Sequence, residues 1–381
     1  MFRKSLRFVP FFLLFLGICL VGPLSGVSGL MAREKTAGKL EEKPLLVDGT
    51  ARAKLVDDLA KALEEGYVFP DVAQTMAKSI REKLAGKTYD SATTGQALAR
   101  ALTADLQAVS KDKHIRVNCS TEPLPKRERK EPSASDLARM REATRKRAAG
   151  FVKLERFSGN IGYLELRGFL DHEAGAETVA AAMSFLANTD ALIIDLRKNG
   201  GGSPYMVQLL CSYFFPAEPK VHLNSLYWRK GDKTDEFWTL KDVAGPRYLD
   251  KPIFLLTSKL TFSAAEEFTY NLKNLKRVTI VGEATGGGAH PGGGVPLGDH
   301  FIVFVPTGRA INPTTKTNWE GTGVAPDVAV DAEMALDKAR DLALAKILES
   351  IKDPQWKREL EMESQMELRA NNRYKERNAK K

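Results

Sequence analysis

Residues 252–275 read PIFLLTSKLTFSAAEEFTYNLKNL, an apolar strand-like run that gives way to a helix-like run at Ser263. Ser263 and Glu266 form the S-x-x-E pattern of a capping box, which indicates the beginning of an ordinary helix. The same position faces free backbone N–H groups and the positive end of the helix dipole, where an oxyanion would be stabilised. The stretch therefore predicts a strand–turn–helix unit and leaves two roles open for Ser263, a structural cap or a nucleophile.

Strands and helices alternate along the chain on both sides of this stretch. Strand-like runs occupy residues 160–169, 191–197, 221–229, 278–282 and 301–308. Helix-like runs occupy residues 176–188, 203–215 and 263–275. Such alternation predicts an α/β core that contains several parallel strands.

The region before this core is helical in pattern. Residues 56–69, 71–86 and 94–109 carry apolar side chains at helical spacing and predict a small three-helix unit. A short strand-like run, HIRVNCS at 114–120, follows this unit.

The N-terminus is the exception to an otherwise ordinary soluble composition of 43% hydrophobic and 28% charged residues in 381. A basic MFRKSLR segment precedes the apolar run FVPFFLLFLGICLVGPL, and small residues follow at Val27-Ser28-Gly29. This order is typical of a secretory signal peptide over residues 1–29, with an uncleaved membrane anchor as the alternative. We therefore expect an exported protein, periplasmic or extracellular after cleavage.

Charge and cysteine content exclude several classes of function. The net charge of +9 owes much to residues 126–147, where nine Lys/Arg face four Asp/Glu and no aromatic residue is interleaved. Nucleic-acid binding is therefore not predicted, while peripheral contact with a membrane or the cell envelope stays open. Cys119 and Cys211 allow one disulfide at most, and no C-x-x-C or H-E-x-x-H motif predicts a metal or cofactor site.

Two glycine-rich segments follow predicted strands. DLRKNGGGSPYM (195–206) lacks the spacing of a nucleotide-binding loop, and its glycines form either a tight turn or a source of spare N–H groups. Beside a nucleophilic Ser263, the N–H of Gly201 or Gly202 would supply a second oxyanion donor together with Ala264 N–H. VGEATGGGAHPGGGVPLGD (281–299) reads as a substrate-facing loop, in which His290 is a binding residue, a base or an exposed residue without a role.

Two further residues are candidates for a functional role because of the residues around them in sequence. SKDKHIRV (110–117) places His114 at the beginning of a strand, and NWEGTGVAPDV (318–328) places Glu320 before a turn. Taken alone, His114 is more often structural than catalytic, and Glu320 reads as a surface residue.

Together, DLRKNGGG, TSKLTFSAAE, VGEATGG and WEGTGVAPDV resemble the tail-specific, or C-terminal processing, protease family. That family includes the tricorn core protease and the interphotoreceptor retinoid-binding protein, and the helical region before residue 110 resembles the latter's branch. The resemblance implies a crotonase-like or ClpP-like β–α core with a mixed sheet, preceded by a small helical bundle. It also implies a serine-type peptidase that acts on polypeptides.

The family has two catalytic arrangements, and the tricorn-like one fits better. The lysine position of the processing proteases holds Gly288 here, which disfavours a Ser–Lys dyad. The tricorn-like branch implies Ser263 as nucleophile, His114 as base and Glu320 in the network that orients the base. Lys113 replaces the serine that precedes the histidine in that branch, so that Asp112 or a water would complete the network.

These observations predict the following organisation: a signal peptide (1–29), a linker (30–43), an N-terminal helical domain (44–109), a protease-like core (110–350) with a basic connector (120–150), and a charged helical tail (351–381). We expect an endopeptidase that works through an acyl-enzyme, with neither metal nor cofactor. A carrier of apolar ligands on the same fold, or an envelope scaffold, is the alternative.

Overall fold

A computed structural model describes residues 44–125, 133–363 and 366 of the chain. The predicted signal peptide (1–29) and linker (30–43) lie outside the described residues. Among the helices that are described, none is long and apolar enough to cross a membrane.

The helices are α1 (Gly49–Gly66), α2 (Pro70–Ala85), α3 (Gly95–Ser110), α4 (Ala134–Lys146), α5 (His172–Leu186), α6 (Pro204–Ser212), α7 (Ala264–Asn274) and α8 (Ala335–Ser350). The strands are β1 (Arg116–Cys119), β2 (Phe151–Phe157), β3 (Ile161–Leu166), β4 (Ala191–Asp195), β5 (His222–Trp228), β6 (Lys233–Trp238), β7 (Ile253–Thr257), β8 (Thr279–Gly282), β9 (Gly292–Leu297), β10 (Phe301–Pro306), β11 (Gly308–Ile311) and β12 (Val328–Ala329).

The chain divides into two compact units. Of the described residues, 44–111, 115–125 and 292–305 form the smaller unit, and 112–114, 133–291, 306–363 and 366 form the larger unit. The segments 115–125 and 292–305, predicted from the sequence to belong to the core, thus cluster with the N-terminal helices. The reason is the antiparallel pairing of β1 with β10, which joins strands far apart in sequence.

The smaller unit contains the three predicted helices. Apolar side chains at helical spacing, such as Leu55, Leu59 and Leu63 of α1, are buried. Asp48 and Thr94 cap the first and third helices by accepting from the N–H groups three residues later. Strands β1, β10 and β9 add a three-stranded sheet in that order, and β9 lies partly in the segment predicted as loop.

The larger unit is built on a six-stranded mixed sheet of order β12-β8-β7-β4-β3-β2. The pairs from β12 to β3 are parallel, and β2 is antiparallel to β3. Every residue of β4 and β7 is buried, as expected for parallel strands covered on both faces. The predicted α/β fold class with several parallel strands is confirmed.

Alternate residues of the central strands pack into two apolar layers. Leu192 and Ile194 of β4 belong to the cluster formed with α5, α6 and α7. Ile193 of the same strand and Leu256 of β7 belong to the cluster formed with α8. The period-two alternation of a strand thus places helices on both faces of the sheet.

The charged tail was predicted to be helical, and its residues 354–363 are helical, with Leu360 1% exposed within the cluster that includes α8. One apolar residue in a charged segment suffices to anchor it when a hydrophobic surface is available. The pairing of Cys119 with Cys211, left open by the sequence, is not made, because both thiols are free.

Candidate active site

Ser263 lies at the turn between β7 and α7 in an unusual backbone conformation. Its φ is 55° and its ψ is −123°, whereas an ordinary N-cap residue adopts the extended region. A non-glycine residue at positive φ outside the left-handed helical region is strained, and such strain clusters at functional sites. The same strand–turn–helix strain marks the nucleophile elbow of other serine hydrolases.

Gly201 approaches Ser263 closely. A Cβ added to Gly201 would lie 2.8 Å from Ser263 Cβ and 2.9 Å from Ala264 N, and the φ of Gly201 is +105°. Only glycine fits such a contact, so the turn after β4 supports the turn after β7 at the carboxyl ends of neighbouring parallel strands.

The two glycines proposed as oxyanion donors differ in what their N–H groups do. Gly201 N donates to Asn199 Oδ1 at 2.9 Å, so it is occupied. Neither Gly202 N nor Ala264 N donates to another group within the described part of the chain, and Ala264 is the first residue of α7, whose N–H has no partner inside the helix. The spare donors beside Ser263 are therefore Gly202 and Ala264.

Glu266 connects the serine turn to the glycine-rich segment after β8. This fully buried carboxylate accepts from Ser263 N at 2.9 Å, Gly287 N at 2.6 Å and Gly288 N at 2.8 Å. Thr285 Oγ1 donates to it as well. Burial raises the pKa of Glu266, and these hydrogen bonds lower it. The S-x-x-E pattern predicts the cap, but no local pattern reveals the contacts of Glu266 with the segment after β8.

His114 packs beside the same turn. Its ring lies on Phe262 with the ring centroids 4.6 Å apart, and its backbone N donates to Asp112 Oδ1 at 2.9 Å. A Cβ on Gly288 would lie 2.6 Å from His114 Cε1 and 2.3 Å from Phe262 Cζ. The position that holds lysine in the processing proteases therefore has no room for a side chain, which argues against a Ser–Lys dyad.

His290 is buried, contrary to the reading as an exposed loop residue. It is 5% exposed, and its Nδ1 lies 2.7 Å from Asp112 Oδ2 and 3.5 Å from Glu320 Oε2. Neighbouring residues of the same segment do line a recess. The imidazole of His290, however, is directed at the fully buried Asp112. The two residues are 178 positions apart, and no sequence pattern marks their pairing.

Asp112 thus lies between the two histidines. Its Oδ2 meets His290, and its Oδ1 lies 3.9 Å from His114 Nδ1. Glu320 joins this group through His290, and its Oε2 also accepts from Ala289 N at 2.5 Å. Burial, with a smaller contribution from the charge of Asp112, raises the pKa of Glu320 to about 7.

Asp112, His290 and Glu320 offer ligand atoms that all lie within 4.8 Å of one another. Two carboxylates and an imidazole are suitable ligands for a divalent cation such as zinc. A proton on His290 Nδ1 satisfies the same oxygens, and a metal bound through that nitrogen would have to displace it. The hydrogen bond between His290 and Asp112 accounts for the contact of those two residues without a metal.

A recess with a cavity volume of about 40 Å³ opens beside Ser263. Backbone and small side chains of Gly202, Ala264, Gly288 and Ala289 border it. Apolar walls come from Pro204, Leu226 and Trp319, and Glu267 is a further lining residue. The recess thus meets both the serine and the spare N–H groups.

Comparison with known proteins identifies the family of the chain. Residues 160–330 match the family model of peptidase family S41, and residues 49–154 match the N-terminal domain of peptidase S41 in eukaryotic IRBP. The chain belongs to peptidase family S41. All the site residues except Asp112 and His114 fall within the first match, and those two fall within the second.

Curated relatives of this S41 chain are bacterial proteases. A carboxy-terminal-processing protease of Bartonella bacilliformis is 26% identical over 184 residues, which are 46% of this chain and 40% of the relative. Carboxy-terminal processing protease CtpB of Bacillus subtilis is 27% identical over 175 residues, 45% of this chain and 34% of the relative. The chain thus spans less than half the length of the curated relatives it matches.

Among solved structures, a Parabacteroides merdae protein described as a candidate peptidase shares the fold of this S41 chain. The TM-score is 0.54 at 19% sequence identity, with 79% of this chain and 99% of that chain covered. At this identity the likeness concerns the fold.

Proposed function

We propose that this protein is a serine-type peptidase that cleaves polypeptides through an acyl-enzyme formed on Ser263. The observation that carries the proposal is the strained conformation of Ser263 beside two spare backbone N–H groups. A structural cap has no need for φ of 55°, because the extended conformation caps a helix without strain.

In the proposed reaction, His114 takes the hydroxyl proton while Ser263 Oγ attacks the carbonyl carbon of the scissile bond. The N–H groups of Gly202 and Ala264 stabilise the negative charge that develops on the carbonyl oxygen. His114 then gives the proton to the leaving amine, and the bond to that amine breaks. Water, deprotonated by His114, hydrolyses the ester and returns Ser263 to its initial state.

The carboxylate that supports His114 is assigned here to Asp112, with His290 and Glu320 behind it. Asp112 binds the backbone of His114, lies 3.9 Å from its Nδ1, and is fixed on its other oxygen by His290. A buried carboxylate near an imidazole favours the imidazolium that forms during catalysis. This assignment answers the departure at Lys113, since Asp112 supplies the group that a serine supplies in tricorn-like enzymes.

The carrier hypothesis finds less support at this site. Pockets that enclose apolar ligands of drug size measure ~300 Å³ or more, whereas the recess beside Ser263 measures about 40 Å³. Such a recess suits one side chain of an extended peptide. Export remains a proposal that rests on the apolar segment near the N-terminus.

Covalent labelling with a fluorophosphonate tests the nucleophile directly. We expect one label on the wild-type protein, located at Ser263 by mass spectrometry, and none on Ser263→Ala. Ser91→Ala, at an exposed serine of the smaller unit, is the matched control and keeps the label. An unlabelled wild type that is folded by circular dichroism would refute the proposal, and so would a label on another serine.

A further inference from the structure

An acidic residue that the proposed reaction does not use, Glu267, follows Ser263 in the first turn of α7. Its N donates to Ser263 O at 2.9 Å, and both residues line the recess. Glu267 is only 5% exposed, yet it lines the recess.

Glu267 has no cationic partner. No lysine or arginine forms an ion pair with it in the ranges that the structure describes, although buried carboxylates in proteins are normally paired. Burial raises the pKa of Glu267 to about 8, and a neighbouring asparagine, Asn224 of β5, lowers it to a smaller extent.

Asn224, the side-chain neighbour of Glu267, supplies a second sign that a ligand group is missing. It is fully buried, and neither its Nδ2 nor its Oδ1 has a hydrogen-bond partner of normal geometry among the described residues. Asn271, one turn beyond Glu267 on α7, is also fully buried, and its Nδ2 lacks such a partner. Buried amides are rarely left unsatisfied in folded proteins, because each unmade hydrogen bond costs stability.

The walls of the recess are largely apolar. Pro204, Leu226 and Trp319 line it together with Ser263 and Glu267. The long apolar stem of a lysine or arginine packs well on such walls while its charged head reaches a carboxylate. A lysine or arginine bound beside Ser263 can therefore direct its charged head towards Glu267.

We propose that the recess is the pocket for the substrate side chain on the acyl side of the cleaved bond, and that Glu267 selects lysine or arginine there. A substrate cation would complete the missing ion pair, and its N–H groups would also reach the Asn224 amide oxygen. This inference rests on the proposed function, because it identifies the substrate class of the same site.

Fluorogenic peptides that differ only in this residue test the assignment. We expect the wild type to show a kcat/KM for Lys and Arg at least tenfold above that for Leu or Gln. Glu267→Gln should lower the ratio of kcat/KM for Lys to kcat/KM for Leu at least tenfold. Glu267→Leu should make kcat/KM for Leu the larger of the two. Glu177→Gln, at an exposed carboxylate of α5, should leave ratio and activity unchanged.

The outcomes separate the two proposals. Hydrolysis with a preference for Leu or Gln would overturn the role of Glu267 and leave the peptidase intact, as would an equal loss for all peptides in Glu267→Gln. Where hydrolysis is too slow to measure, a peptide aldehyde can replace the substrate. We then compare how well a peptidyl-argininal and the matching norleucinal protect Ser263 from the fluorophosphonate. Better protection by the norleucinal overturns the assignment, and a wild type that neither labels nor hydrolyses overturns both proposals.

Discussion

At the scale of the residue, Ser263 departs from the ordinary cap that its S-x-x-E pattern predicts. Its backbone N–H is held by Glu266 as in a cap, while its φ of 55° and ψ of −123° lie outside the conformation of a cap. The strain persists because Gly201 on one side and Glu266 on the other fix the turn.

This strain predicts an unusual order of stability among inactive variants. Glycine adopts φ of 55° freely, so Ser263→Gly should be more stable than Ser263→Ala by about 1 kcal/mol despite the entropy cost of glycine. Urea unfolding of the two variants measures the difference. Ser91 is not at positive φ, so Ser91→Gly should be less stable than Ser91→Ala. Equal stability of the two Ser263 variants would contradict the strain.

At the scale of the element, the first turn of α7 carries three groups with separate tasks. Ser263 precedes the helix, Glu266 fixes the glycine-rich segment after β8, and Glu267 lines the recess. The helix spacing of 3.6 residues decides which side chain faces which neighbour. The sequence predicts the helix and its cap, but which of two adjacent glutamates meets the recess depends on the pairing of β5 and β11 beside it.

Glu267 makes the stability of the larger unit depend on pH. Its pKa is raised to about 8 by burial, with Cys211 and Asn224 as its polar neighbours. Because the folded state holds this proton more tightly than the unfolded chain, stability is lost as pH rises from about 4.5 towards 8. Relative to Glu267→Gln, the wild type should lose ~3 kcal/mol of unfolding free energy between pH 4.5 and 7.

Urea unfolding at the two pH values measures this loss. Glu177→Gln, at an exposed position of α5, should have the same free energy of unfolding as the wild type at both pH values. If the difference in free energy of unfolding between the wild type and Glu267→Gln stayed constant across this pH range, Glu267 would be ionised throughout.

At the scale of the whole molecule, the sequence predicts more of the fold than of the site. The alternation of strands and helices predicts the parallel core, and helical periodicity predicts the N-terminal helices. The grouping of residues 292–305 with those helices escaped prediction, since it depends on strand pairing between distant segments. For the same reason Asp112 was only an alternative, and the sequence left open whether His290 is a base, a binding residue or an exposed residue without a role, although the two side chains lie 2.7 Å apart.

Ser263 and His114 are proposed to hydrolyse peptide bonds together, without a lysine base. Cleavage of casein by the chain from residue 30 onward tests this proposal most directly, with Ser263→Ala, His114→Ala, His290→Ala and Lys273→Ala measured in parallel. Lys273 is the control because it forms an ion pair with Asp327 at 2.9 Å on the exposed side of α7. We expect cleavage to disappear in the first two variants, to weaken in the third through kcat, and to persist in the fourth. Cleavage that survives Ser263→Ala or His114→Ala, or that Lys273→Ala abolishes in a folded protein, would contradict the account.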